Sequence, residues 1–299
     1  MSTEIVKALD FYILAIDFVS LLMTFPGYMF IIVVNILDWM KNKRLDISDQ
    51  LICGLGLLSL IHRITQVSVV CIILIYGLNE ITYFTWISMH LMHYSINLCT
   101  LLFSTWLSIH FCLKIVNINH NLYINIQNWF PQMFPWIHFL SVLTSLLISG
   151  PAAQDVSGII SNSIIFLNIS SSPLKIFLSS KLYYVFSAIF FLIFVIMVLV
   201  TIVSLYRHIK LMQNNTNHFR AETIEVPVNA VKTLIFLICL NLLHFILPIV
   251  TMFVRNHLQL VVLIFAILHS LDLPILIRGS TKLKKKLNEL WLYLISLAS

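Results

Sequence analysis

Three charged residues sit inside otherwise apolar stretches of this 299-residue chain: Asp17, Arg63 and Asp272. An ionised side chain costs about 2.5–3.5 kcal/mol at the centre of a membrane helix, so each needs a reason to be there. Arg63 and Asp272 have opposite charge. A pair between them would be either a static tether between helices or a switch that re-pairs on activation. Asp17 lies toward the outer part of its stretch and is expected to reach water. A second group of polar residues shares helix faces: His93 with Asn97, one turn apart, and Asn241 with His244, three apart. They suit a cavity, open to the outside, that hydrogen-bonds a small molecule. The competing reading is hydrogen bonding between helices, typically worth about 0.6 kcal/mol. His90 and His93 have the spacing of metal ligands, but no carboxylate or third histidine accompanies them on that helix, and neither metal nor cofactor is expected. A Gly-rich phosphate loop, a His-Glu-x-x-His motif and a serine nucleophile elbow are all missing, so an enzyme is not expected.

The elements that must position these residues follow from composition. The chain is 60% hydrophobic and 10% charged, with a mean hydropathy of +0.96. Soluble domains are about 45–50% apolar and about 25% charged. The bilayer is therefore the main solvent, and a soluble enzyme, a disordered chain and a coiled coil are excluded. The net charge of +6 comes from basic residues set between apolar runs, which points to topology and anionic lipid rather than nucleic acid. The five cysteines, all inside apolar runs, predict neither a disulfide nor a metal site.

Seven apolar runs are long enough to span: about 11–37, 47–76, 83–116, 131–152, 181–206, 228–254 and 259–277. None alternates with period two, so the reading is an all-α membrane protein, one seven-helix bundle over residues 1–299. Pro26, Pro248 and Pro274 are read as kinks within spans. Basic residues cluster on one side: Lys41, Lys43 and Arg44; Lys114; Arg207, Lys210, Arg220 and Lys232; Arg278, Lys282 and Lys284 to Lys286. The other side has Lys7, Lys175, Lys181 and Arg255. This asymmetry puts the N-terminus outside and the C-terminus in the cytoplasm. Asn168, Ile169 and Ser170 form a glycosylation acceptor on the outer side, in agreement. The tail 278–299 places Leu283, Leu287, Leu290 and Leu294 at helical spacing among lysines, the pattern of an amphipathic helix lying on the membrane.

Four motifs in one order resemble the type 2 (bitter) taste receptors, a family of G-protein-coupled receptors. The most specific is Ser204, Leu205, Arg207, His208, Met212 and Gln213, then Phe219, Arg220, Ala230 and Lys232. The others are Asn35, Asp38, Trp39 and Lys41 leading to Ser48 and Asp49; Phe111, Leu113, Lys114 and Ile115; and Leu276, Ile277, Gly279, Lys282 and Leu283. The resemblance covers nearly the whole chain. It implies a plasma-membrane receptor with a small-molecule pocket among spans three, five, six and seven, built from His93, Asn97, Asn241, His244 and Phe265. It also implies a contact for a gustducin-like heterotrimeric G protein at Phe111, Lys114, Arg207, His208 and Arg220. Some positions depart from the family pattern. Tyr28 stands where span one usually has Asn, Ser59 where span two has Arg, and Asp272 and Leu273 where span seven has His and Ser. Arg63 and Asp272 are therefore expected to rebuild an altered network. The alternatives are a vomeronasal type 1 pheromone receptor, against which the Arg207–Gln213 motif argues, and a small transporter, against which the odd span count and lack of a repeat argue.

Overall fold

The computed structural model describes residues 3–76, 82–116, 121–165, 181–215, 222–253 and 258–298. Among them the chain forms eight helices: α1 (Thr3–Asn42), α2 (Ile47–Tyr76), α3 (Tyr83–Ile115), α4 (Asn121–Ile165), α5 (Lys181–Asn215), α6 (Glu222–Phe253), α7 (Leu258–Gly279) and α8 (Thr281–Ala298). Helices satisfy every backbone polar group internally, which is the requirement hydrocarbon imposes. Five of them, α1 to α5, contain stretches long and apolar enough to cross a membrane, and α6 carries a shorter apolar stretch, Lys232–Leu247.

Several helices outrun the apolar segments that signalled them. α4 begins at Asn121, not near Pro131, and encloses Pro131, Pro135 and Pro151. The segment before Pro131 mixes four amide side chains with six apolar ones, and it stays helical because a helix, once started, adds one hydrogen bond per residue whether or not the residue is apolar. Pro26 and Pro274 also lie inside helices, α1 and α7.

α3 is the central helix. It packs against α2, α4, α5 and α6, and 67% of its most apolar stretch is buried, against 22–28% for α1, α2, α4 and α5. Its buried hydroxyls bond to their own helix: Thr100 to Ile96, Ser104 to Thr100 and Thr105 to Leu101, all at 2.8–2.9 Å, and Ser108 to Thr105 at 2.7 Å. Trp106 instead donates across to Ser141 of α4 at 3.0 Å. Two glycines set close approaches. A Cβ on Gly27 would strike Leu273, which fixes α1 against α7. A Cβ on Gly54 would fall 2.5 Å from the Phe103 ring, where α2 meets α3.

Phe103 is only 5% exposed and has little room to yield. Gly54→Ala is expected to cost about 1–3 kcal/mol, the usual cost of overpacking. Gly150→Ala is the control, because nothing lies within 4 Å of its added carbon. Thermal melts of the two purified variants should show a clear loss for the first and none for the second.

Candidate functional site

α2, α3, α6 and α7 enclose a polar cavity lined by Ser59 and His62, by Asn97, Thr100 and Ser104, by Asn241 and His244, and by Asp272. Leu55, Leu237, Leu240 and Leu276 complete its wall. The enclosed space is about 30 Å3. That suffices for one or two waters but is far below the about 300–1,000 Å3 of small-molecule pockets. Three of the five sequence-predicted ligand residues, Asn97, Asn241 and His244, converge here. His93 borders the cavity: the Asn97 amide donates to His93 Nε2 at 3.1 Å, and the His93 ring stands edge-on to His62 at 5.2 Å. That bond requires a neutral ring with its proton on Nδ1. Asn241 donates to the Leu237 carbonyl at 2.8 Å. The helix around Phe265 is described, but its side chain lies outside the described residues. Among the described residues none from α5 lines the cavity; Tyr183 and Tyr184 of α5 instead meet the rings of Tyr94 and Phe245, at 4.9 and 6.3 Å.

The sequence missed His62 as a cavity residue. The signal was present, since His62 follows Ser59 by three and so shares its face of α2.

The intramembrane charges are arranged differently from the expected order. Asp17 does not reach water; it and Arg63 are both 0% exposed, and the guanidinium lies 3.7 Å from the Asp17 carboxylate. Arg63 also donates to Gln66 at 3.0 Å and to the Ser20 hydroxyl, and Ser20 sits 3.0 Å from Ser270 of α7. Asp272 faces His244 at 4.0 Å. Two departures from the family pattern meet: the Tyr28 hydroxyl is hydrogen-bonded to Ser59. The bond links α1 to α2 where Asn and Arg would otherwise stand.

At the end of the bundle that carries the α1–α2 connection, Lys282 of α8 is a hub. Its ammonium donates at 2.9 Å to Asn35 and Asp38 of α1 and to Asp49 of α2. Burial alone would lower the pKa of this amine, but the two carboxylates outweigh it and hold the pKa above its ordinary value. Ser280 caps α8 through the Leu283 amide and also donates to Asp49 at 3.3 Å. At the same end Lys114 lies 3.8 Å from Asp46, Arg207 is exposed and Phe111 is half-buried. The side chain of His208 lies outside the described residues, as do Arg220 and Asn168.

Breaking a buried pair costs about 3–5 kcal/mol because it strands the remaining charge, whereas removing both charges is often neutral. Arg63→Met should therefore abolish surface expression, and adding Asp17→Asn should restore most of it. Antibody staining of intact cells reads both outcomes. A double variant no better than Arg63→Met would break the link between the two residues.

Comparison with known proteins completes the assignment. The family described as Taste receptor protein (TAS2R) matches residues 5–294. Taste receptor type 2 member 104 of Mus musculus is 26% identical over 80% of this chain and 80% of its own length. Member 114 of Mus musculus is 29% identical over 73% of this chain and 71% of its own, and member 2 of Homo sapiens is 27% identical over 72% and 73%. The chain therefore belongs to the type 2 (bitter) taste receptor family of G-protein-coupled receptors, multi-pass membrane proteins that bind small molecules and signal through G proteins rather than catalyse a reaction.

Proposed function

We propose that this receptor crosses the plasma membrane seven times through α1 to α7. Its N-terminus is outside, Asn168 is glycosylated, and α8 lies on the cytoplasmic face. It binds an external bitter molecule among α3, α5, α6 and α7, at His93, Asn97, Asn241, His244 and Phe265. The convergence of Asn97, Asn241 and His244 from α3 and α6 on one buried space supports this reading. With about 30 Å3 enclosed, a ligand must bind an arrangement in which α6 and α7 stand further from α3. Such a ligand favours that arrangement by its differential affinity, since equal affinity for both would shift nothing.

The same separation would open the opposite end. A gustducin-like α subunit would meet Phe111, Lys114, Arg207, His208 and Arg220 there. Arg63 and Asp272 lie between the two ends, Arg63 held by Asp17 and Asp272 by His244. Movement of α7 alters the distance of Asp272 from Arg63 while Asp17, on α1, stays beside it, which makes the network the switch between cavity and G protein.

Calcium imaging of cells expressing the receptor with a gustducin-chimeric α subunit, challenged with a panel of bitter compounds, tests this reading. A concentration-dependent response is expected, reduced about tenfold in potency by Asn97→Ala at equal surface expression, the loss of one hydrogen bond to a buried ligand. A response unchanged by Asn97→Ala would move the ligand elsewhere.

A further inference from the structure

A second cleft, about 510 Å3 in volume, lies on the outer surface of the bundle between α6 and α7. Its two walls are single helix faces. On α6, Lys232, Phe236, Cys239 and Leu243 recur at helical spacing; on α7, Leu271 and Arg278 lie two turns apart. Phe236, Leu243 and Leu271 are 52%, 45% and 47% exposed, so the apolar part faces the surrounding lipid. The cations gather at one end, where Lys232 and Arg278 are joined by Lys284 of α8. Among the described residues that line the cleft there is no acid.

From Lys232 to Leu243 is about 16 Å of helix at 1.5 Å per residue, close to half the about 30 Å hydrocarbon thickness. The apolar wall therefore matches the acyl chain of a single leaflet, and the cations sit at headgroup level. Arg278 offers a planar fork for a phosphate, and Lys232 supplies a point charge for a second anionic group. A zwitterionic headgroup such as phosphatidylcholine has no second anionic group to offset the cation it brings against these residues, whereas phosphatidylserine adds a carboxylate. A free phosphate would leave the apolar wall unused.

We propose that the α6–α7 cleft is a binding site for an anionic phospholipid of the inner leaflet. The headgroup contacts Lys232 and Arg278, and one acyl chain lies along Phe236, Leu243 and Leu271. The bound lipid joins α6 to α7 and α8 on the face turned away from the ligand cavity. The inference rests on the membrane placement proposed above and not on the identity of the bitter ligand.

The test uses the full chain in nanodiscs of phosphatidylcholine with one-fifth phosphatidylserine, followed by mass spectrometry of the lipid that remains bound after detergent exchange. Incorporation into pure phosphatidylcholine discs checks the membrane placement separately. The wild type should retain phosphatidylserine over phosphatidylcholine. Lys232→Gln with Arg278→Gln should lower that preference by about fivefold per charge removed. Lys41→Gln with Lys43→Gln, equal in charge but outside the cleft, should leave it unchanged. Equal retention of both lipids by the wild type, or an equal loss in the two double variants, would overturn the proposal. Cys239 gives a second measurement that needs no charge variant. As an exposed cysteine in the cleft wall, it should be alkylated several-fold more slowly in the phosphatidylserine discs than in the phosphatidylcholine discs. Equal rates would count against an occupied cleft.

Discussion

A fully buried guanidinium on the second helix constrains the surrounding bundle. Arg63 has no exposed surface, and an ion of its size loses several kcal/mol on leaving water unless charge and hydrogen bonds replace the hydration. Those replacements come from its own helix through Gln66 and from α1 through Asp17 and Ser20. Ser20 in turn lies against Ser270 of α7. The phase and depth of α1 and α7 relative to α2 are therefore set by one side chain. A slip of α1 by one residue would carry the Asp17 carboxylate about 1.5 Å along the axis and about 100° around it, leaving two unpaired charges in hydrocarbon.

The opposite end of the same three-helix unit is held by the reverse arrangement. There the cation belongs to α8, and the acceptors belong to α1 and α2. Between these two polar clusters α1 and α2 meet through Tyr28 and Ile31 packed on Leu51, Ile52 and Leu55. α1 and α2 are thus clamped at both ends, and they form a fixed frame. The cavity lies where α2 meets α3, α6 and α7, to which α6 and α7 contribute Asn241, His244 and Asp272. Of these, Asn241 and His244 stand on α6 rather than on the clamped pair.

The helices and the cavity-facing polar pairs were legible in the sequence, because apolar length and a spacing of three or four residues report them directly. The start of α4 was not, since Asn121, Asn125, Gln127 and Asn128 interrupt the apolar residues of 121–130 without ending the helix. Asp17 was misplaced for a different reason: depth within a span cannot be judged along one helix alone. It could have been judged between two. Asn35 and Asp49 meet on Lys282 and so share a level. Asp17 lies eighteen residues beyond Asn35 (35 − 17) and Arg63 fourteen beyond Asp49 (63 − 49). Those separations are about 27 and about 21 Å, and the long arginine side chain covers the difference. The partnership of Tyr28 with Ser59 was similarly hidden. Each residue reads as an isolated departure from a pattern until the packing of α1 on α2 brings them together.

The hydroxyls of α3 have a mechanical consequence. Thr100, Ser104, Thr105 and Ser108 spend their protons on carbonyls of the same helix. The buried midsection of α3 is therefore an almost smooth shaft, although it is rich in polar residues. Turning it by a few degrees exchanges dispersion contacts worth about 0.1–0.2 kcal/mol each for similar ones and breaks none of those four bonds. Trp106, bonded to Ser141 of α4, is a catch on that shaft. Such a rod resists bending more than rotation, and the bonds at its far end, from Tyr123 to the Cys112 and Val116 carbonyls and from Gln127 to that of Leu113, set how far a turn can travel.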